Sequence, residues 1–201
     1  MQHVANALTL GRVLLSVPLF FFTVFSSVSP ACHLAALAVF SLIMASDALD
    51  GTVARRWGTV SNFGKEIDPY ADKLVDAAIY LALIEVHRVW ALTVLTFIII
   101  FRHFTVTVLR GFAARFQTVI AARFTGKTRT VVSFTLAFLL LAQVRYQHDR
   151  PYWFSEHLQA VPGWLWDSGI IILMMLTLIS LADYIWQYTP LIKRFARSPN
   201  D

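Results

Sequence analysis

Four aspartates stand at spacings from which chemistry can be read. The stretch Asp47-Ala48-Leu49-Asp50-Gly51-Thr52-Val53-Ala54-Arg55 is followed, after eight intervening residues, by Gly64-Lys65-Glu66-Ile67-Asp68-Pro69-Tyr70-Ala71-Asp72. Asp47 and Asp50 are at i,i+3, and Asp68 and Asp72 at i,i+4, so each pair projects from one face of its own helix. Six of the twelve acidic residues fall between Asp47 and Asp76. Carboxylates gathered in an apolar chain are costly and repel one another, so something must compensate. Oxygen ligands in two pairs are what a hard divalent cation such as Mg²⁺ or Mn²⁺ prefers. A carboxylate-bound cation in turn suits a phosphate substrate, whose oxygens it can bridge and whose charge it can neutralise. The small residues fit that chemistry. Gly51 and Ala54 strip bulk from the face beside Asp50, Gly64 clears the turn before Asp68, and Arg55 adds a guanidinium fork.

The elements that must carry these residues are membrane helices. In 201 residues, 57% are hydrophobic and only 14% charged, with a mean hydropathy of +0.61. Soluble domains usually carry about 25% charge, and too little polar material is present here to coat a water-soluble globule. Crossing a hydrocarbon layer about 30 Å thick takes about 17–25 mostly apolar residues. Six stretches qualify, with boundaries near 7–26, 31–53, 68–86, 90–111, 127–144 and 165–186. The third and fifth reach membrane length only by recruiting polar starts, Asp68–Asp76 and Lys127–Thr130. The expectation is an all-α integral membrane protein, a six-transmembrane-helix bundle forming a single domain over 1–201. The first aspartate pair ends span two and the second begins span three, so a helical hairpin gathers all four in a polar metal-binding cavity at the cytoplasmic side.

Charge sets the orientation. Thirteen basic residues, from Arg12 to Arg197, lie toward one side, against Arg88, Arg145 and Arg150 on the other. Basic residues favour the cytoplasmic side of a membrane, which places both termini and the aspartates there. The net charge of +5 therefore reports orientation rather than a nucleic-acid partner, since no basic run interleaves with polar linker. The first span reads as a retained helix, because Met1-Gln2-His3 lacks the basic start of a signal peptide. The single cysteine, Cys32, excludes an internal disulfide and a cysteine-based zinc site.

The pattern Asp-x2-Asp-Gly-x2-Ala-Arg-x8-Gly-x3-Asp-x3-Asp resembles the signature of the CDP-alcohol phosphatidyltransferases, with all eight specified positions met. Members of that family transfer the phosphatidyl group of a CDP-linked lipid to an alcohol and release CMP. The resemblance implies Asp47, Asp50, Asp68 and Asp72 as ligands of Mg²⁺ or Mn²⁺, with two ions expected. It implies Asp72 also as the general base toward the acceptor hydroxyl. Gly51, Ala54, Arg55 and Gly64 would then line the cytidine-nucleotide side. The expected donor is CDP-diacylglycerol, and the expected setting is the bacterial inner membrane with the active site facing the cytoplasm.

The acceptor is read from looser matches. Asn6-Ala7-Leu8-Thr9-Leu10-Gly11-Arg12, Asp68–Lys73 and Gly126-Lys127-Thr128-Arg129-Thr130 resemble the branch of the family that uses glycerol 3-phosphate. So does the spacing of Arg102 and Arg110. Independently of family, an arginine inside an apolar run marks a functional site. Arg102, Arg110, Lys127 and Arg129 would form a basic pocket for the phosphate of the acceptor; pairing of Arg102 with Asp76 or Asp183 is the structural alternative. His103 departs from that branch, where an acidic residue often follows the span-four arginine. Phosphatidylglycerol (giving cardiolipin), inositol phosphate and serine are alternative acceptors. An ion or proton transporter is the reading from another class, and it would need acids spread across the midplane rather than gathered at one end. Such bundles are compatible with pairing as homodimers among the membrane lipids.

Overall fold

The computed structural model describes the backbone of residues 2–57, 62–115, 124–144 and 160–197, and the side chains of 10–46, 70–114, 125–144 and 160–190. Among these residues there are six α-helices and no strands. They are α1 (Gln2–Val24), α2 (Pro30–Trp57), α3 (Asn62–His87), α4 (Trp90–Arg115), α5 (Phe124–Ala142) and α6 (Gly163–Arg197).

The breaks between helices have local causes. A single 3-10 turn at Phe25–Ser27 closes α1, and Ser26 Oγ donates to the carbonyl of Thr23. Pro30 then opens α2, a position where its missing N–H costs nothing and its fixed φ already suits the helix. At the end of α3, Arg88 takes φ 51°, the left-handed conformation that commonly stops a helix and that glycine usually supplies. Its side chain turns back to Glu85 at 2.9 Å, both groups being exposed, so this ion pair adds little stability.

Among the described residues, three helices are long and apolar enough to cross a membrane, in the stretches Leu10–Ser27, Trp90–Ala114 and Gly163–Pro190; α2 adds the shorter apolar stretch Pro30–Ser46. The apolar residues are not all spent on the interior. Along α4, Phe97, Phe101, Phe104 and Val108 point outward, as do Ile171, Ile172, Met175, Leu178 and Ile179 on α6. A water-soluble surface seldom leaves so long an apolar stripe uncovered; hydrocarbon is the solvent it fits.

Helix α1 packs against both α2 and α3, α4 against α3 and α6, and α5 against α6, α3 and α2. The core between them is built from Leu19, Phe40, Ile79, Leu83, Leu95, Ile99, Leu141 and Leu173, all essentially inaccessible to solvent. A smaller cluster of Val106, Leu109, Ala113, Tyr184 and Tyr188 joins α4 to α6.

The C-terminus of α5 is finished by other helices. A helix leaves its last four carbonyls without intrahelical partners. Here His87 Nε2 of α3 donates to the carbonyl of Leu140 and His33 Nε2 of α2 to that of Leu141, each at 3.0 Å. Two imidazoles thus tie three helices together at the end of the bundle away from Asp72. Replacing His87 by alanine strands the Leu140 carbonyl in an apolar setting, a loss of about 1–3 kcal/mol, whereas the Leu141 carbonyl keeps the Val144 N–H at 3.2 Å when His33 is replaced, so that loss is smaller. Each variant is expected to melt lower in detergent, the His87 variant by several degrees, and the double variant lower still. Melting temperatures equal to that of the parent protein would contradict this role.

Candidate active site

Consecutive helices run in opposite directions. The N-terminal ends of α3 and α5 therefore meet the C-terminal halves of α4 and α6 at one end of the bundle. A cavity of about 400 Å³ opens there. From α3 it takes Asp72, Lys73 and Asp76; from α4, Arg102, His103 and Arg110; from α5, Gly126, Lys127, Arg129 and Thr130; and from α6, Tyr184. The four basic residues read from the sequence as a phosphate pocket, Arg102, Arg110, Lys127 and Arg129, thus line one space together with Asp72.

Asp72 is half-exposed (46%), and Arg12 of α1, only 2% exposed, reaches its Oδ1 at 2.9 Å. The packing of α1 on α3 explains how a residue sixty positions away arrives there. Beside it, Lys73 Nζ donates to Thr107 Oγ1 and lies over the Tyr70 ring at 5.1 Å.

Asp76, one turn deeper, is the hub of a buried network. Its Oδ2 meets Arg129 Nη2 at 2.9 Å and His103 Nε2 at 2.8 Å, and its Oδ1 accepts from Ser133 Oγ at 2.9 Å. Tyr80 OH donates to the carbonyl of Ser133 at 2.8 Å, and Arg129 Nε reaches Thr177 Oγ1 at 3.4 Å. A buried carboxylate demands such pairing. The sequence set Asp76 outside the metal ligands and offered it only as a partner for Arg102; its place at i+4 from Asp72 in an apolar helix was the available signal. His103, the departure noted on α4, proves to be one of the partners of that acid.

The other arginines are held differently. Arg102 Nη2 donates to Ser180 Oγ at 3.1 Å, and Arg110 Nη2 to Tyr184 OH at 2.8 Å. Both guanidiniums lie against the Tyr184 ring, 5.4 and 5.6 Å from its centroid. The alternative of an Arg102 pair with Asp76 or Asp183 is not what forms: Arg129 takes Asp76, and Asp183 accepts from Thr125 Oγ1 at 2.9 Å. Among the described residues, no carboxylate lies within ion-pairing distance of Arg102, Arg110 or Lys127.

Asp47, Asp50, Gly51, Ala54 and Arg55 lie on α2, and Gly64 and Asp68 on α3, but their side chains fall outside the described residues. Each aspartate pair does lie within one uninterrupted helix, as its spacing requires. Among the described residues no group of three or more His, Cys, Asp or Glu side chains is arranged to hold a metal.

The family model for CDP-alcohol phosphatidyltransferases matches residues 2–178. The chain belongs to that family. As a CDP-alcohol phosphatidyltransferase it is an enzyme, a transferase, and its relatives are bacterial. It is similar to the CDP-diacylglycerol–glycerol-3-phosphate 3-phosphatidyltransferase of Bacillus subtilis (strain 168), 31% identical over 186 residues that cover 84% of this chain and 95% of that protein. The enzymes of the same name from Rickettsia bellii (strain RML369-C) and Escherichia coli (strain K12) are 30% and 31% identical over 141 residues. These matches cover 70% and 69% of this phosphatidyltransferase, and 76% of each relative.

Proposed function

We propose that this phosphatidyltransferase moves the phosphatidyl group of CDP-diacylglycerol to glycerol 3-phosphate, releasing CMP and forming phosphatidylglycerophosphate. The observation that carries the reading is the joining, in one cavity, of a half-exposed aspartate with cations that no described carboxylate neutralises. The names of the relatives point the same way. In this reading Arg102, Arg110, Lys127 and Arg129 receive the phosphate of the acceptor, with Arg129 sharing its charge with Asp76. Asp72 takes the proton from the acceptor's free hydroxyl as its oxygen attacks the phosphorus bearing the diacylglycerol. The bond from that phosphorus to CMP breaks, and CMP leaves with the electron pair. Arg12 keeps the Asp72 carboxylate in place.

The donor set of Asp47, Asp50, Asp68 and Asp72 fits hard divalent cations, since it is all carboxylate oxygen on two continuous helices. These residues would hold Mg²⁺ or Mn²⁺, two ions in this reading, with Gly51, Ala54, Arg55 and Gly64 beside the nucleotide. Bound there, the cation supplies charge neutralisation at the diphosphate.

The same reading has all six helices crossing the bacterial inner membrane, both termini cytoplasmic and the cavity opening to the cytoplasm, in keeping with the thirteen-to-three bias of basic residues. The outer apolar faces of α4 and α6 meet lipid or a second copy of the chain.

An acceptor panel tests the reading. With Mg²⁺ and CDP-diacylglycerol, purified enzyme is expected to form a new lipid from glycerol 3-phosphate and little from phosphatidylglycerol, inositol phosphate or serine, as read by mass spectrometry. A product from one of the others and none from glycerol 3-phosphate would replace the acceptor and leave the family intact.

A further inference from the structure

The cavity holds its three arginines in two ways. Arg129 is neutralised by the Asp76 carboxylate, whereas Arg102 and Arg110 are brought to a single neutral ring. Like charges gathered at one place repel, and a carboxylate between them would relieve the repulsion only by cancelling the charge that an anionic ligand needs. An aromatic face attracts cations through its quadrupole and carries no net charge.

We propose that Tyr184 is a positioning residue of the site, holding Arg102 and Arg110 ready for a phosphate monoester while leaving the charge of both available to it. The inference deepens the acceptor-phosphate reading and rests on it. Three features of the structure support it. The phenol oxygen accepts a hydrogen bond from Arg110 at 2.8 Å, so the ring orients that guanidinium as well as attracting it. Tyr184 is itself fixed: it is 3% exposed, packs with Val106, Leu109 and Ala113 of α4, and stacks on Tyr188 one turn on, with centroids 6.4 Å apart. Finally, Gly126 presents only backbone to the pair. A Cβ there would stand 3.5 Å from Arg102 Nη2 and 3.8 Å from Tyr184 OH, ordinary contact distances, so position 126 borders both members of the pair. Tyrosines at i,i+4 in an apolar helix look like lipid-facing residues in the sequence, and the arginines are what set this one apart.

Steady-state kinetics on the full-length enzyme, varying each substrate separately, tests the inference with Tyr184→Phe, Tyr184→Leu, Arg102→Gln and Arg110→Gln. Tyr184→Phe keeps the ring and loses the hydrogen bond; it is expected to raise KM for glycerol 3-phosphate about threefold. Tyr184→Leu loses both and is expected to raise it about tenfold or more. In both variants kcat stays within about threefold of the parent and KM for CDP-diacylglycerol is unchanged, a split that general damage to the fold would not produce. If the arginine variants raise the acceptor KM and the tyrosine variants do not, Tyr184 does not position them and the inference is overturned. A Tyr184→Leu effect on kcat alone, or equal effects on both substrates, overturns it as well. If Arg102→Gln and Arg110→Gln leave the acceptor KM unchanged, the acceptor-phosphate reading has failed, and the inference goes with it. Should Tyr184→Leu fail to fold, the Tyr184→Phe result decides.

Discussion

Asp72→Asn is expected to lower the rate of CMP release by about 10²–10⁴-fold, the usual contribution of a positioned general base. Asparagine has the same shape as aspartate, and its carbonyl oxygen can still accept from Arg12, which reaches Asp72 Oδ1 at 2.9 Å. What it cannot do is take up a proton from the acceptor hydroxyl. Because Arg12 is only 2% exposed, weakening its ion pair is expected to lower the melting temperature as well, while the hydrogen bond to the asparagine carbonyl keeps the fold. Loss of turnover with a retained fold would separate the base from a structural role. A variant with turnover within tenfold of the parent would remove Asp72 as the base.

The second large effect is on stability. Asp76 and Arg129 are 2% and 1% exposed and meet at 2.9 Å. Removing one member of a buried pair leaves the other charged without a partner, a loss of about 3–5 kcal/mol. Asp76→Leu and Arg129→Met should each destabilise the enzyme by that order in reversible unfolding. The double variant should lose less than the sum of the two, because neither orphaned charge then remains. His103 and Ser133, which also bond to Asp76, would keep the recovery partial. Additive losses would show that the two residues are not coupled.

The parts of the molecule that a reader of the sequence can see are those set by local periodicity. The joints near Pro30 and Arg88, the apolar runs of α1, α4 and α6, and the continuity of each aspartate pair within one helix follow from neighbouring residues. Four of the basic residues of the cavity, Arg102, Arg110, Lys127 and Arg129, were legible because charges are rare in an apolar chain and each must have a reason to be there. How the helices are rotated against one another is not local, and it decides the pairing. Arg129, not Arg102, faces Asp76, and Arg12 crosses from α1 to Asp72. The ties of His33 and His87 to the end of α5, over 108 and 53 residues, had no local signal. Nor did the meeting of Tyr184 with two arginines, since an aromatic in a membrane helix is ordinarily lipid-facing. His103 was visible as a departure in the sequence and acquired a physical meaning only beside Asp76.

The central claim is that an acceptor bearing a phosphate drives transfer of the phosphatidyl group. The most direct measurement compares glycerol 3-phosphate with glycerol, using purified enzyme, CDP-diacylglycerol in mixed micelles and Mg²⁺, and quantifying CMP and lipid product together. The expected result is one CMP for each phosphatidylglycerophosphate formed, and almost no release with glycerol. Equal release with glycerol, or CMP appearing without the phosphorylated lipid, would contradict the account.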